Sequence, residues 1–153
     1  MTGFLHGSKH GPLVINSITL MNKAWAITNL AEMYARTARG ASLPIPTLAG
    51  QRSRNRKTDE VVHPLSLMVL GKAPSTGADV ADPYSQLATN MVTLEAVAVN
   101  PSGNTGHAIT WTLANGTSRT GYCWVQNWLV EDVEKAPINI VNFDLVIPAG
   151  GLA

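Results

Sequence analysis

The sequence holds a single cysteine, Cys123, and that scarcity removes two classes of small protein at once. One thiol can build neither an intrachain disulfide framework nor a multi-cysteine zinc site. Charge is also scarce. Asp, Glu, Lys and Arg make up 14% of the chain, against about 25% in an average soluble domain. The eleven Lys and Arg nearly cancel the ten Asp and Glu, leaving +1. Such a balance excludes a generally basic nucleic-acid binder and an acidic solvating tail. No apolar run approaches the roughly 18–20 residues of a membrane helix. The opening MTGFLHGSKHGP lacks the continuous apolar stretch of a secretory signal. These absences point to a protein made and used, or assembled, in a reducing cytosol. No cofactor is implied: neither G-x-x-x-x-G-K-[ST] nor G-x-G-x-x-G occurs. No G-x-S-x-G elbow occurs either, so nothing reads as an enzyme.

What is present is a chain of 153 residues, 45% of them apolar. That is the size of one domain with its own core, and it argues against disorder. The low charge density also points to a surface partly covered by other protein.

The pattern along the chain is mostly β. Residues 1–11 read as a flexible start. Residues 13–20 (LVINSITL) follow Gly-Pro, are rich in β-branched residues and read as a strand. A turn at Met21-Asn22-Lys23 leads to a second strand over 25–30. Residues 31–58 hold Gly40, Pro44, Pro46 and Gly50 with no sustained period, and read as a long loop with at most a short helical turn at its start. Residues 61–71 (VVHPLSLMVLG) read as a strand buried on much of both faces. Pro64 demands a free edge or bulge there. Asp82-Pro83 is a helix start. Leu87, Met91, Leu94 and Ala98 then mark one face of a helix over 83–99, which stops before Asn100-Pro101.

The last third reads as three strands. His107 to Leu113 alternates, and Asn115-Gly116 signals a tight hairpin with both turn positions at positive φ. The return strand runs from about Thr117 to Glu134. It places Trp124 and Trp128 on one side and Cys123, Val125 and Leu129 on the other. After a turn at Ala136-Pro137, Val141, Phe143, Leu145 and Ile147 share one face, with Asn142 and Asp144 opposite. The fold class is therefore mostly β (α+β). It is an antiparallel sandwich or barrel with one flanking helix and a long loop arm, in a single domain over 1–153.

Few residues invite chemistry. His6 and His10 stand four apart, but in a glycine-rich segment with no carboxylate or cysteine nearby to complete a metal site. His63 and His107 stand alone in strands. Cys123 sits between aromatics in an apolar strand and reads as a packed residue. Glu131, Asp132, Glu134 and Lys135 read as a charged hairpin tip. The four tryptophans, Trp25, Trp111, Trp124 and Trp128, read as core or interface residues.

The basic run is more informative. Arg36, Arg39, Arg52, Arg54, Arg56 and Lys57 place six of the eleven positive charges between residues 36 and 57. Direct nucleic-acid recognition would need interleaved stacking aromatics, and only Tyr34 stands near. A solvated loop is one reading. An arm that pairs its arginines with carboxylates on a neighbouring subunit is the other, and it carries more weight here.

The order of several short motifs resembles small minor tail proteins of tailed phages of actinobacteria, and through them the distal tail protein superfamily. The pieces are Gly11-Pro12-Leu13-Val14-Ile15-Asn16 with Trp25 soon after, then Arg39-Gly40, Leu43-Pro44 and Ala49-Gly50 leading into the basic stretch. Leu70-Gly71 precedes the Asp-Pro helix, and Val146-Ile147-Pro148-Ala149-Gly150-Gly151 closes the chain. The resemblance implies a tail-tube-like β fold in a six-fold ring that joins the tail tube to the tail-tip hub and continues the DNA channel. The loop would be an arm to the neighbouring subunit. Implied partners are further copies of the chain, the tail tube protein and the tail-tip hub protein. DNA or the tape measure would be channel contents only, and no membrane is involved. The implied location is the virion tail, after assembly in the host cytoplasm. A tail tube or tail terminator subunit shares the fold, and a small carbohydrate-binding module is the reading from another class.

Overall fold

The computed structural model describes residues 11–35, 38–44, 51–58, 60–103, 105–148 and 151–153, with 38–44 and 51–58 described through their backbone. Residues 1–10, the bulk of the expected flexible start, lie outside the described residues.

The first strand pair corrects an expectation. Residues 13–20 form β1 (Leu13–Ile15) and β2 (Ile18–Thr19), an antiparallel hairpin. Asn16 and Ser17 carry φ of 50° and 64°, the two positive values of a type I′ turn. The β-branched residues on both sides hide that turn from a propensity reading. The next turn is where the sequence places it. Asn22 Oδ1 accepts from the backbone N–H groups of Ala24 and Trp25, each at 2.8 Å, an Asx turn. It leads into β3 (Trp25–Ile27).

A 3₁₀ turn follows at Leu30–Tyr34. The expected long loop over 31–58 is then corrected. Its described backbone forms β4 (Ala38–Pro44) and β5 (Gln51–Thr58), an antiparallel ribbon of two strands. Polar, proline-flanked segments carry little strand propensity, so only their mutual pairing reveals them.

β6 (Val61–Leu70) buries one face along its whole length, while the other is exposed at Val62 and Pro64 and half-buried at Ser66, Met68 and Leu70, so the expected burial of both faces is only partial. Pro64 sits where it must. Leu70 N–H and Ser66 C=O bond toward the β3 side, so Pro64, two residues before Ser66, turns its donorless nitrogen the same way. β3 has already ended there. Asn29 takes its place, its Oδ1 accepting from Ser66 N–H (2.8 Å) and its Nδ2 donating to Pro64 C=O (2.9 Å).

Gly71 then passes the start of the helix so closely that a Cβ would lie 2.1 Å from Pro83 O. The helix, α1 (Pro83–Ala98), starts as expected, with Asp82 accepting from Ser85 N–H at 3.2 Å and Pro83 in the first turn. Its inward face is Leu87, Asn90, Leu94 and Val97, with Met91 beside it. Asn90 was not anticipated there. It is buried because its amide donates to the carbonyls of Leu70 (2.8 Å) and Lys72 (3.0 Å) and so ties the helix to the end of β6.

The meander consists of β7 (His107–Thr112), β8 (Ser118–Asp132) and β9 (Ile138–Ile147). At Asn115-Gly116 only the glycine has positive φ, 87°. Gly116 N–H donates to Leu113 C=O at 2.9 Å. This is a type I turn with a left-handed glycine after it, not the expected pair of positive φ values. The β8–β9 turn centres on Glu134 and Lys135, the latter at φ 61°, rather than on Ala136-Pro137.

The seven strands outside the ribbon form one antiparallel sheet in the order β2-β1-β7-β8-β9-β6-β3, curled into a half-barrel. The protein is thus mostly β with one flanking helix. Its core fills the inner face. Leu13, Ile109 and Trp111 meet Leu65, Leu67, Phe143 and Leu145 there, and Leu87, Leu94 and Val97 of α1 pack into the same cluster. Each such side chain contributes about 1.5–3 kcal/mol through burial.

β8 is the hinge of this sheet. Its first half pairs β7 through residues 118–123 and its second half pairs β9. Where β7 has run out, Asn100 substitutes for it. Its Oδ1 accepts from Val125 N–H (2.8 Å) and its Nδ2 donates to Val125 C=O (2.6 Å). Replacing Asn100 with alanine strands a donor and an acceptor at once. Asn100→Ala is expected to cost about 2 kcal/mol, read from urea unfolding as a lower midpoint with an unchanged slope.

Candidate assembly surface

The predicted contact residues fall mainly on one element. Arg39 lies in β4, and Arg52, Arg54, Arg56 and Lys57 lie in β5, while Arg36 is outside the described residues. Backbone register sets Arg39 opposite Lys57, Arg54 opposite Ala41 and Arg52 opposite Leu43, with a register shift between Arg39 and Ala41. The ribbon is its own two-stranded sheet and joins no strand of the larger one. Like charges directly opposite are destabilising, and an isolated two-stranded hairpin is marginal in water. Neither strand holds a carboxylate. The ribbon therefore gathers positive charge that it cannot neutralise internally.

Negative charge gathers elsewhere. Outside residues 36–57 the chain has five Lys and Arg against ten Asp and Glu. Three of those acids, Glu131, Asp132 and Glu134, stand exposed at the end of the β8–β9 hairpin. Asp132 accepts from the Asn139 amide at 2.9 Å. Glu131 and Glu134 have no ion-pair partner in the described chain.

A bulge shapes the same hairpin. Register with β9 shifts between Gln126 and Leu129, and Asn127 takes φ 55°. One extra residue inverts the alternation of everything after it. Trp128 consequently turns inward, 5.3 Å between ring centroids from Phe143, and Leu129 turns out, 64% exposed. This corrects the expected shared side for Trp124 and Trp128. Trp124 lies on the outer face opposite Val146 and is half-buried. Trp25 and Trp111 are core residues. Trp25 Nε1 donates to Thr19 C=O at 2.9 Å. Trp111 meets the edge of Tyr34 at 5.0 Å.

The concavities are modest. One pocket lies among Met33, His63, Trp111, Arg119 and Leu152 and offers about 30 Å³, roughly one water's share of liquid volume. Trp111 Nε1, in its wall, has no hydrogen-bond partner among the described residues. A second, open groove of about 480 Å³ runs over the outer face at the bulge. Its polar groups largely satisfy one another. Asn127 Nδ2 donates to Asp144 at 2.8 Å, and Ser66 Oγ bonds Asn142.

Groups suited to nucleophilic or metal chemistry are sparse among the described residues. His107 stands directly opposite Cys123 across β7 and β8, but both are buried and no hydrogen bond joins them. Burial pushes the Cys123 thiol up to about 12, so no thiolate forms near neutrality. No cluster of three or more His, Cys, Asp or Glu able to hold a metal occurs among the described residues, and His6 and His10 lie outside them. No helix of the described chain is long and apolar enough to cross a membrane. No protein-family model matches the sequence, and no curated protein matches it.

Two buried groups yield checks on this geometry. His63 Nδ1 donates to the Glu32 carbonyl at 2.9 Å. Burial lowers its pKa below 6.5, while that hydrogen bond and the Glu32 charge offset part of the shift. The folded value thus lies below the unfolded one. The stability owed to the neutral ring is complete above pH 6.5 and is lost as pH falls through the folded value. Thermal melts from pH 7.5 to 5 should fall in the wild type and flatten in His63→Gln. Cys123 should resist an aromatic disulfide reagent in the native protein and react at once in denaturant.

Proposed function

We propose that this chain is a structural subunit of a phage tail, a distal tail protein whose ring joins the tail tube to the tail-tip hub and continues the DNA channel. The observation that carries the reading is the separation of charge between a basic two-stranded ribbon and an acidic body. A subunit whose arm and body attract each other's counterparts on different copies makes head-to-tail contacts, and such contacts form a ring where the rotation between copies closes. The half-barrel capped by one helix is compatible with the tail-tube-like fold that the motif order implies. The partners on this reading are copies of the chain, in a six-fold ring, with the tail tube protein above and the hub protein below. Its place is the virion tail, and DNA or the tape measure passes through the channel.

Tail tube and tail terminator subunits are the near alternatives, since they differ in neighbours rather than in fold. A sugar-binding module draws less support. Three of the four tryptophans are occupied in the core or against Phe143, which leaves no exposed pair of tryptophans as a platform.

Size-exclusion light scattering with negative-stain imaging tests the reading. The expected species is a ring with a central hole near 98 kDa, about six copies of the 16.3 kDa chain. A variant with Arg52, Arg54 and Arg56 all changed to glutamate should stay monomeric while keeping its circular dichroism. A wild type that remains monomeric at every concentration contradicts the reading.

A further inference from the structure

We infer that the basic ribbon of one copy adds, strand against strand, to the unpaired half-edge of β8 in the next copy, and that the acidic end of the β8–β9 hairpin receives its cations. The inference rests on the ring reading and names the surface that receives the arm.

The receiving edge follows from strand lengths. β8 runs fifteen residues, but β7 covers only residues 118–123 of it. Asn100 completes Val125. Beyond that point no strand of the described chain pairs with residues 126–132 on the side away from β9. Such an edge is a template for a further strand. Lysine and proline, frequent defences of an edge, are absent from residues 126–132, whose defences are the bulge at Asn127 and the acids Glu131 and Asp132. Leu129 and Val130 are instead 64% and 47% exposed there.

Charge selects the occupant. Glu131 and Asp132 oppose pairing of this edge with the same edge of another copy, because like charges would meet. They favour a strand rich in arginine. The chain has one such strand, β5, with Arg52, Arg54 and Arg56 at alternate positions. β5 pairs β4 on one side and nothing among the described residues on the other. At eight residues it spans the seven of the open edge. β5 and the open half of β8 each have one free side, so joining them gives both a second neighbour and brings opposite charges together. The contact is heterologous, as a ring requires.

Charge exchange between copies is the test. The arm variant carries Arg52→Glu, Arg54→Glu and Arg56→Glu. The edge variant carries Glu131→Lys and Glu134→Lys. Each alone should associate at least about tenfold more weakly than the wild type by sedimentation. Mixed in equal amounts they should assemble again, because every arm then finds an edge of opposite sign. An edge variant that assembles as the wild type does overturns this inference and leaves the ring reading standing. A wild type that never assembles overturns both. If the lysine variant fails to fold, Glu131→Gln with Glu134→Gln serves instead. Weaker association with a flatter salt dependence supports the contact, and unchanged association refutes it.

Discussion

A backbone amide or carbonyl turned away from water must find a partner, and here the strands cannot supply all of them. β8 outruns β7, and β6 outruns β3, so each long strand continues past the end of its neighbour. Asparagine side chains finish the ladders. The amide of Asn100 copies the donor and acceptor of a missing residue beside Val125, and Asn29 does the same beside Ser66 and Pro64. Asn90 performs a related task between helix and sheet, donating to two carbonyls at the end of β6 and just after it. A carboxamide suits this role because it carries the donor and acceptor of a peptide group on a short stem. The curled sheet and the seat of the helix both depend on these bonds.

That dependence explains what could be read from the sequence. The strand over 61–71, the alternation of β9 and the Asp82-Pro83 helix start were legible, because periodicity and capping are local signals. Pro64 even announced the free edge it occupies. Asn90 was not legible as a core residue, since its partners lie eighteen and twenty residues away in the chain. Nor was the bulge at Asn127. Its effect is to exchange the sides of Trp128 and Leu129, and a simple alternation carries no mark of the residue at which it inverts. The Asn16-Ser17 turn was masked by the β-branched residues around it. The ribbon was hidden for another reason: arginine and serine read as loop until two such segments pair.

The charge pattern was visible as a basic run, but its counterpart was not. Glu131, Asp132 and Glu134 looked like an ordinary hairpin tip in one dimension. In three, Glu131 and Asp132 lie within, and Glu134 just beyond, the portion of β8 that has β9 on one side and no described strand on the other. On the account developed above, the same requirement that places asparagines inside the fold operates between copies. The arm and the half-edge are two places where backbone groups of the described chain remain unmatched, and their opposite charges direct which joins which.

Hydrogen exchange followed by mass spectrometry, at low and high protein concentration, tests this most directly. The account predicts that amides in residues 51–58 and 126–132 exchange quickly in dilute protein and become protected together as the protein associates. β6 and β9 should be protected throughout. Association that leaves both segments in rapid exchange would contradict it.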